Sequence, residues 1–548
     1  MRPRRVVCFA AALALAGTHP ALSQTPAPPQ GLLAVPPLLL ELPPSAARPL
    51  PSDLSLGQVI QRALAGNANL LVQAQQVRSN QGAVQEARGV YDPVIVGRAS
   101  QEDGPKPMRS GDTAALAIAG NQAVRVDQNS TTSYGLGVEQ TLGSGAHIES
   151  GFSVGSTKSE YNVLQGIPTQ TTGSIRFGVR YPLQRNANGI EQSSALAASE
   201  LERDASNEDL LQISATTVLN VVQTYWEIAA RVRRLEILRE SEVRAGELLA
   251  ELRKLVDADH IPAAELNLAL ASEAEKRAAR LSEEQLLQQA WGALARLVLA
   301  DAGDVFAALP VTEPLPELNE QMTLAATWLP TQRDAVLERR PDLRAARLRE
   351  RAALLLMHAA QDKLRPQVDL VAGASSNALA EGSQAFRVAD ALGRNIVGPT
   401  INVGVEMRWP VRNDAAAGLF LARSAARDQA TIRLRDLEGA VGPSLTSAVN
   451  ALLRTKLRFH ETESATRRYA ISVQNERTKR RLGLSTLIDV INLQDRLDSA
   501  QLALLSLRQE YATLLAQLEF DAGTLVNRGN QIFTVDIDKL QGRQRKAP

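Results

Sequence analysis

The sequence predicts a mainly α-helical chain with transmembrane β-strands. Long coiled-coil helices stand beside a few strands that each subunit gives to a barrel shared with other copies. Three observations lead there: a proline-free helical stretch from about Arg185 to Val256, two segments of period-two alternation that close on aromatic-Pro-aliphatic, and an N-terminal export signal with no later helical span. Composition agrees. The 548 residues are 44% hydrophobic but only 4% aromatic, an Ala/Leu-rich balance that suits thin helix-to-helix packing better than the three or four globular domains that length alone would suggest. With 60 basic and 59 acidic side chains there is no cationic surplus to hold a polyanion, so nucleic acid is not an expected partner. The single cysteine excludes a disulfide framework and Cys-based zinc sites.

In chain order, residues 1–23 read as a signal peptide: Arg2, Arg4 and Arg5 form the basic region, Val6 to Gly17 the apolar one, and Ala21-Leu22-Ser23 the cleavage site. Pro20 closes the apolar run before the ~20 residues a membrane anchor needs. Cys8 falls inside the signal, away from any lipoprotein cleavage site. Residues 24–53 are Pro-rich and extended.

A first structural repeat is expected over 54–301. Ser55 with Gln58 makes a capping-box pattern, and an amphipathic run continues from Leu56 to about Val90, ending at Tyr91-Asp92-Pro93. After a connector at 302–330, a second repeat over 331–526 opens with Thr331 and Asp334 in the same relation and runs to Leu364-Arg365-Pro366. A shift of 273 residues lays Leu64 on Leu337, Leu70 on Leu343, Arg78 on Arg351 and Pro93 on Pro366, which suggests internal duplication. Residues 527–548 form a tail.

Strands follow each of these prolines. Ile175, Phe177, Val179 and Tyr181 alternate with polar neighbours, as do Ile401, Val403, Val405, Met407 and Trp409, before Pro182 and Pro410 end the segments. A half-buried soluble sheet reads the same way. The ~10-residue length, the Arg, Glu and Asn of the polar face and the export signal favour outer-membrane strands lining water. Each half supplies too few strands for a barrel, and open edges are not viable in hydrocarbon, so several subunits must share one. A further hairpin is spelled by Tyr134, Leu136 and Val138, then Ile148, Phe152 and Val154, around Gly143-Ser144-Gly145. From Pro93 to Pro182 there are 89 residues against 44 from Pro366 to Pro410, which leaves 45 extra in the first half.

Very long helices come next. Leu211, Val218, Tyr225 and Val232 recur every seven residues, and Val490, Leu493, Leu497, Ala500, Leu504, Leu507, Tyr511, Leu514 and Leu518 step by three and four. Each long helix turns back at a short interruption, around Asp259-His260-Ile261-Pro262 and at Leu482-Gly483-Leu484-Ser485-Thr486.

With its duplicated pattern, the junction residues Pro93, Pro182, Pro366 and Pro410, and the stretch Arg481-Leu482-Gly483-Leu484-Ser485-Thr486-Leu487-Ile488-Asp489-Val490, the sequence resembles the TolC-like outer-membrane efflux family over nearly the whole chain after the signal. The resemblance implies a homotrimer with four strands per subunit in a shared twelve-stranded barrel, a long periplasmic helical tunnel with a belt of short helices midway, and no cofactor. It implies as partners a periplasmic adaptor, an inner-membrane transporter and outer-membrane lipid. It places Gly483, Leu484, Ser485, Asp259 and His260 in the tip turns that meet the adaptor. Asp489, with Asn492 three residues on, and Glu265 in the first half fall at the tunnel entrance; a solvated charge beside a turn is the plainer reading of Asp489, and a helix-latching ion pair that of Glu265.

Enzymatic readings are weak. Gly151-Phe152-Ser153-Val154-Gly155 matches a nucleophile-elbow pattern, but the alternation runs straight through Ser153, and the five histidines form no ligand pair at helical spacing. A periplasmic coiled-coil adaptor is the alternative to a channel, and it needs one helical hairpin flanked by soluble β modules.

Overall fold

The computed structural model describes residues 55–110, 126–164, 166–167, 169–258, 264–298, 313–318, 328–381, 396–528 and 533–541. The expected signal peptide and Pro-rich segment, most of the connector at 302–330 and the end of the tail lie outside the described residues, as do Asp259 and His260.

Ser55 caps α1 (Leu56–Gly66) in a reciprocal capping box with Gln58. The run expected to continue unbroken to Val90 is broken at Asn67, whose side chain accepts from the N–H of Asn69 and starts α2 (Ala68–Gly89). Strands β1 (Val94–Pro107), β2 (Val126–Thr141) and β3 (His147–Ser159), a one-turn α3 (Glu160–Leu164) and β4 (Gln170–Pro182) follow. A 3₁₀ turn at Ala187–Gly189 leads into α4 (Ile190–Asp257), and α5 (Ala264–Val298) runs back along it.

The second half repeats this order. Helix α6 (Trp328–Arg339) begins before Thr331, so that residue is inside the first turn and not the cap. The chain breaks at Arg340, and α7 (Pro341–Asp362) starts with proline at a position whose N–H would have no helical partner. Then come β5 (Gln367–Glu381), β6 (Ile396–Arg408), α8 (Asp414–Arg481) and α9 (Leu487–Asp521). Adding 273 to the bounds of α2 gives those of α7, and α4 and α8 are both 68 residues long, α5 and α9 both 35. A short ribbon, β7 (Asn527–Arg528) with β8 (Phe533–Thr534), and a last turn α10 (Ile537–Leu540) close the described chain.

All six long strands form one antiparallel sheet in the order β1-β2-β3-β4-β5-β6. This corrects the expectation of four strands per subunit. The extra first-half segment lies inside the sheet as the β2–β3 hairpin, paired over its whole length from Thr141 with His147 to Asn129 with Ser159. Its turn is held at the helical side, where a Cβ on Gly145 would stand 2.9 Å from the Asn186 carbonyl oxygen.

Helices α2 and α7 end where β1 and β5 begin, and α4 and α8 begin just after β4 and β6 end, so all four abut the sheet by one end. They pack side by side in the order α2, α4, α7, α8. At 1.5 Å per residue α4 and α8 reach about 100 Å from the strands. Beyond α2 and α7, the returning α5 and α9 take their places, giving the order α5, α4, α9, α8. The main core lies part-way along, where Val218, Tyr225, Trp226 and Ile228 of α4 pack against Leu56, Val59 and Ile60 of α1, Leu294 of α5 and Leu540 of α10. A second core joins Val336, Leu343, Leu445, Leu452 and Tyr511 from α6, α7, α8 and α9. Heptad residues Leu211, Val218 and Tyr225 are thus buried as their spacing requires.

Candidate functional site

Pairing fixes which side chains share a face of the sheet. Ile95 stands opposite Val138, Leu136 opposite Phe152, Phe152 opposite Ile175, Tyr181 opposite Leu370 and Leu370 opposite Val405, so one face is apolar from β1 to β6. That face is uncovered: Ile401 is 72% and Val403 71% exposed, and Phe152, Ile175 and Phe177 are exposed as well. An apolar band of this extent is not stable against water and marks contact with lipid or protein.

The opposite face carries Arg98, Glu139, Glu149, Arg176, Arg180, Asp369, Glu406 and Arg408. Arg180 bridges Asp369 at 3.2 Å and Glu406 at 2.5 Å, and Arg408 reaches Glu406 at 2.6 Å, which ties β4, β5 and β6 together. Ser153 sits in mid-strand with its hydroxyl 2.8 Å from that of Ser174, far from the tight strand-to-helix turn a nucleophile elbow requires. Pro93 and Pro366 directly precede β1 and β5, Pro182 is the last residue of β4, and Pro410 follows Trp409 at the end of β6.

At the far end, α8 terminates because Gly483 takes φ +74°, the left-handed conformation open to glycine. The Leu484 N–H donates to the Lys479 carbonyl at 2.9 Å and the Gly483 N–H to that of Arg480 at 2.9 Å, closing the turn. Leu482 and Leu484 are left pointing into solvent, 69% and 74% exposed. Ser485 donates to Glu476 at 2.6 Å, and this bond together with Lys479 lowers the Glu476 pKa. Thr486 and Asp489 make the capping box that starts α9, the carboxylate accepting from the Thr486 hydroxyl at 2.5 Å and N–H at 3.2 Å. These hydrogen bonds hold the Asp489 carboxyl below its ordinary value. The box was readable as Thr-x-x-Asp before an apolar run.

Asn492 is exposed two residues after Val490 on the same helix. Glu265 lies in the first turn of α5, and its side chain is outside the described residues. Sequence reasoning missed the polar links behind the tips. Arg480 of α8 pairs with Glu251 of α4 at 3.0 Å, and Lys276 of α5 with Asp495 of α9 at 2.6 Å. Deeper in, the buried Asp498 accepts from Ser241 at 2.5 Å and Arg244 at 2.8 Å. A groove of about 700 Å³ runs between these helices, lined by Arg244, Glu251, Lys276 and Arg480 among others.

Among the described residues no helix is long and apolar enough to cross a membrane, and no acidic, His or Cys cluster could hold a metal ion.

Comparison with known proteins gives a consistent result. Residues 333–524 match the outer membrane efflux protein family. No curated protein matches by sequence. Among solved structures, the outer-membrane channel OprN is similar with a TM-score of 0.64 at 17% identity, covering 93% of this chain and 100% of that one. The outer membrane protein VceC from Vibrio cholerae gives 0.60 at 17% identity, covering 85% and 96%. The open-state MtrE outer membrane channel of Neisseria gonorrhoeae gives 0.60 at 16% identity, covering 85% and 88%.

Proposed function

From the match of residues 333–524 to the outer membrane efflux protein family and the fold this chain shares with solved outer-membrane channels, we propose that it is the outer-membrane duct of a tripartite efflux or type I secretion system. It works as a homotrimer anchored in outer-membrane lipid by its sheets, with its helices extending into the periplasm. A periplasmic adaptor and an inner-membrane transporter complete the system.

The observation that carries this reading is the sheet itself. It is apolar and exposed on one face, charged on the other, and unpaired at β1 and β6. In hydrocarbon an unpaired edge leaves backbone N–H and C=O groups without partners, at several kcal/mol each, so the edges require further copies. The charged face then lines water. An adaptor would instead carry one helical hairpin between soluble β modules, whereas two long hairpins flank a single sheet here.

In this reading the Gly483 and Asp259 turns are the adaptor-facing tips. Asp489 gives a carboxylate ring near the threefold axis, joined by Asn492 and Glu265, which draws cations to the mouth and disfavours anions. Arg480 with Glu251 latches the α8–α9 hairpin to α4 when the mouth is closed. The matching bounds of α2 and α7 and the equal hairpins support an origin by duplication.

Fractionation tests the proposal. The protein should sediment with outer membrane, resist salt extraction and crosslink as a trimer; a salt-extractable monomer would exclude a duct.

A further inference from the structure

We infer that three copies close into an eighteen-stranded barrel, β6 of one copy pairing with β1 of the next, with the β2–β3 hairpin as part of the membrane wall. This rests on the trimeric reading and adds to it the width of the passage.

The edges are compatible. Strand β1 leaves the helical end at Val94 and β6 returns to it at Arg408, so a neighbour's β1 runs antiparallel to β6. Both edges present the same apolar face, through Ile95 and Val403, so joining them continues the band without turning a strand over. Between the edges the pairing is regular except for one shift between Ser375 and Asn377.

The hairpin is built as wall. Leu136 and Phe152 lie on the apolar face in line with Ile175 of β4, and Glu139 and Glu149 on the charged one. At the helical end its turn is seated against the Asn186–Gly189 corner, where a Cβ on Gly189 would stand 2.5 Å from the Gly143 carbonyl oxygen. A loop hanging outside the barrel would need neither feature.

Six paired strands in each of three copies make eighteen, and the circumference agrees. Four helices per copy abut the strands, so three copies set twelve in a ring, and at ~8–10 Å between axes that ring measures ~96–120 Å. Strands ~4.8 Å apart and tilted ~40° give ~113 Å for eighteen and ~75 Å for twelve. Eighteen strands therefore match the ring of helices in circumference. The corresponding wall diameters are about 36 Å and 24 Å. A solute that clears the helical tips meets no further narrowing of the backbone wall at the membrane.

Spin-label distances between copies measure this wall. In a Cys8→Ser background, Ser375→Cys on the charged face and Ala374→Cys on the apolar face bracket it. Dipolar spectroscopy on the full-length protein in bilayers should give intercopy distances averaging about 31 Å over the two sites, the side of a triangle inscribed in the wider barrel. An average near 21 Å would overturn the eighteen-stranded wall and leave the trimer standing. Absence of intercopy coupling would overturn both. If either variant fails to assemble, Thr400→Cys and Ile401→Cys on β6 make the same measurement.

Discussion

Gly189 meets the backbone of Gly143 so closely that it tolerates no side chain: a Cβ on Gly189 would lie 2.5 Å from the Gly143 carbonyl oxygen and 2.9 Å from the Gly145 nitrogen. Gly189 also has φ +64°, so the corner that starts α4 and the turn of the β2–β3 hairpin depend on one another.

Gly189→Ala should therefore cost more than the ~1 kcal/mol of a left-handed alanine, because the backbone contact has to open as well. The expected result is a lower melting temperature and fewer SDS-resistant oligomers in the outer membrane. Gly82→Ala is the control. Gly82 lies inside α2 with nothing within 4 Å of its would-be Cβ, and alanine there should stabilise by about 0.5–1 kcal/mol.

Asp489→Asn should reduce cation preference in planar bilayers and raise the small conductance of the closed protein. The pH dependence follows from the sign of the shift. Hydrogen bonds from Thr486 lower the folded-state pKa, so the carboxylate stays charged through the usual aspartate range as pH falls and is neutralised only below it. Its contribution to stability is present above the unfolded-state value and lost as pH drops through the folded one. Reversal potentials between pH 7 and pH 3 should keep their cation bias to below ordinary aspartate titration; loss of the bias already near pH 5 would contradict this.

Arg480→Ala removes the bridge to Glu251. A partly exposed pair is worth roughly 0.2–1 kcal/mol, so global stability should hardly change. If the pair favours the closed mouth, the ratio of open to closed channels should rise about two- to fivefold, the free-energy equivalent of up to ~1 kcal/mol. Single-channel recording reads this ratio, and an unchanged ratio would remove the latch role.

Trp226→Ala should destabilise by about 3–5 kcal/mol, since the indole is wholly buried where α1, α4, α5 and the tail meet. Trp226→Phe, which keeps most of the volume, should lose much less. Denaturant unfolding followed by circular dichroism checks both.

Much of this architecture was legible because it repeats simple periods. The heptads of Leu211, Val218 and Tyr225 and the alternation of Ile401 to Trp409 each bury or expose one face, and Pro93 and Pro366 mark strand starts by steric necessity. The break at Asn67 was harder to see, since apolar spacing carries across it from Ala63 to Leu70, although Asn67 and Pro341 are a good cap and a good first helical residue. The extent of strand β1 was not legible, because Gln101 to Lys106 are polar or conformationally special on both faces, so period two vanishes there. In β5 the outward positions Ala372 and Ala374 are small and give little contrast. The mouth was legible only where its contacts are local, as between Thr486 and Asp489. Arg480 and Glu251 are 229 residues apart, and their meeting depends on how four helices stack.

Equal arms have a mechanical result. Because the two outgoing helices are both 68 residues long, their far ends come to nearly the same height above the sheet. A threefold assembly of such chains ends in a level rim with six near-equivalent teeth, alternating between the far ends of α4 and α8. A docking protein therefore meets a sixfold surface at first approach and discovers the threefold one only through the side chains that differ between alternate teeth.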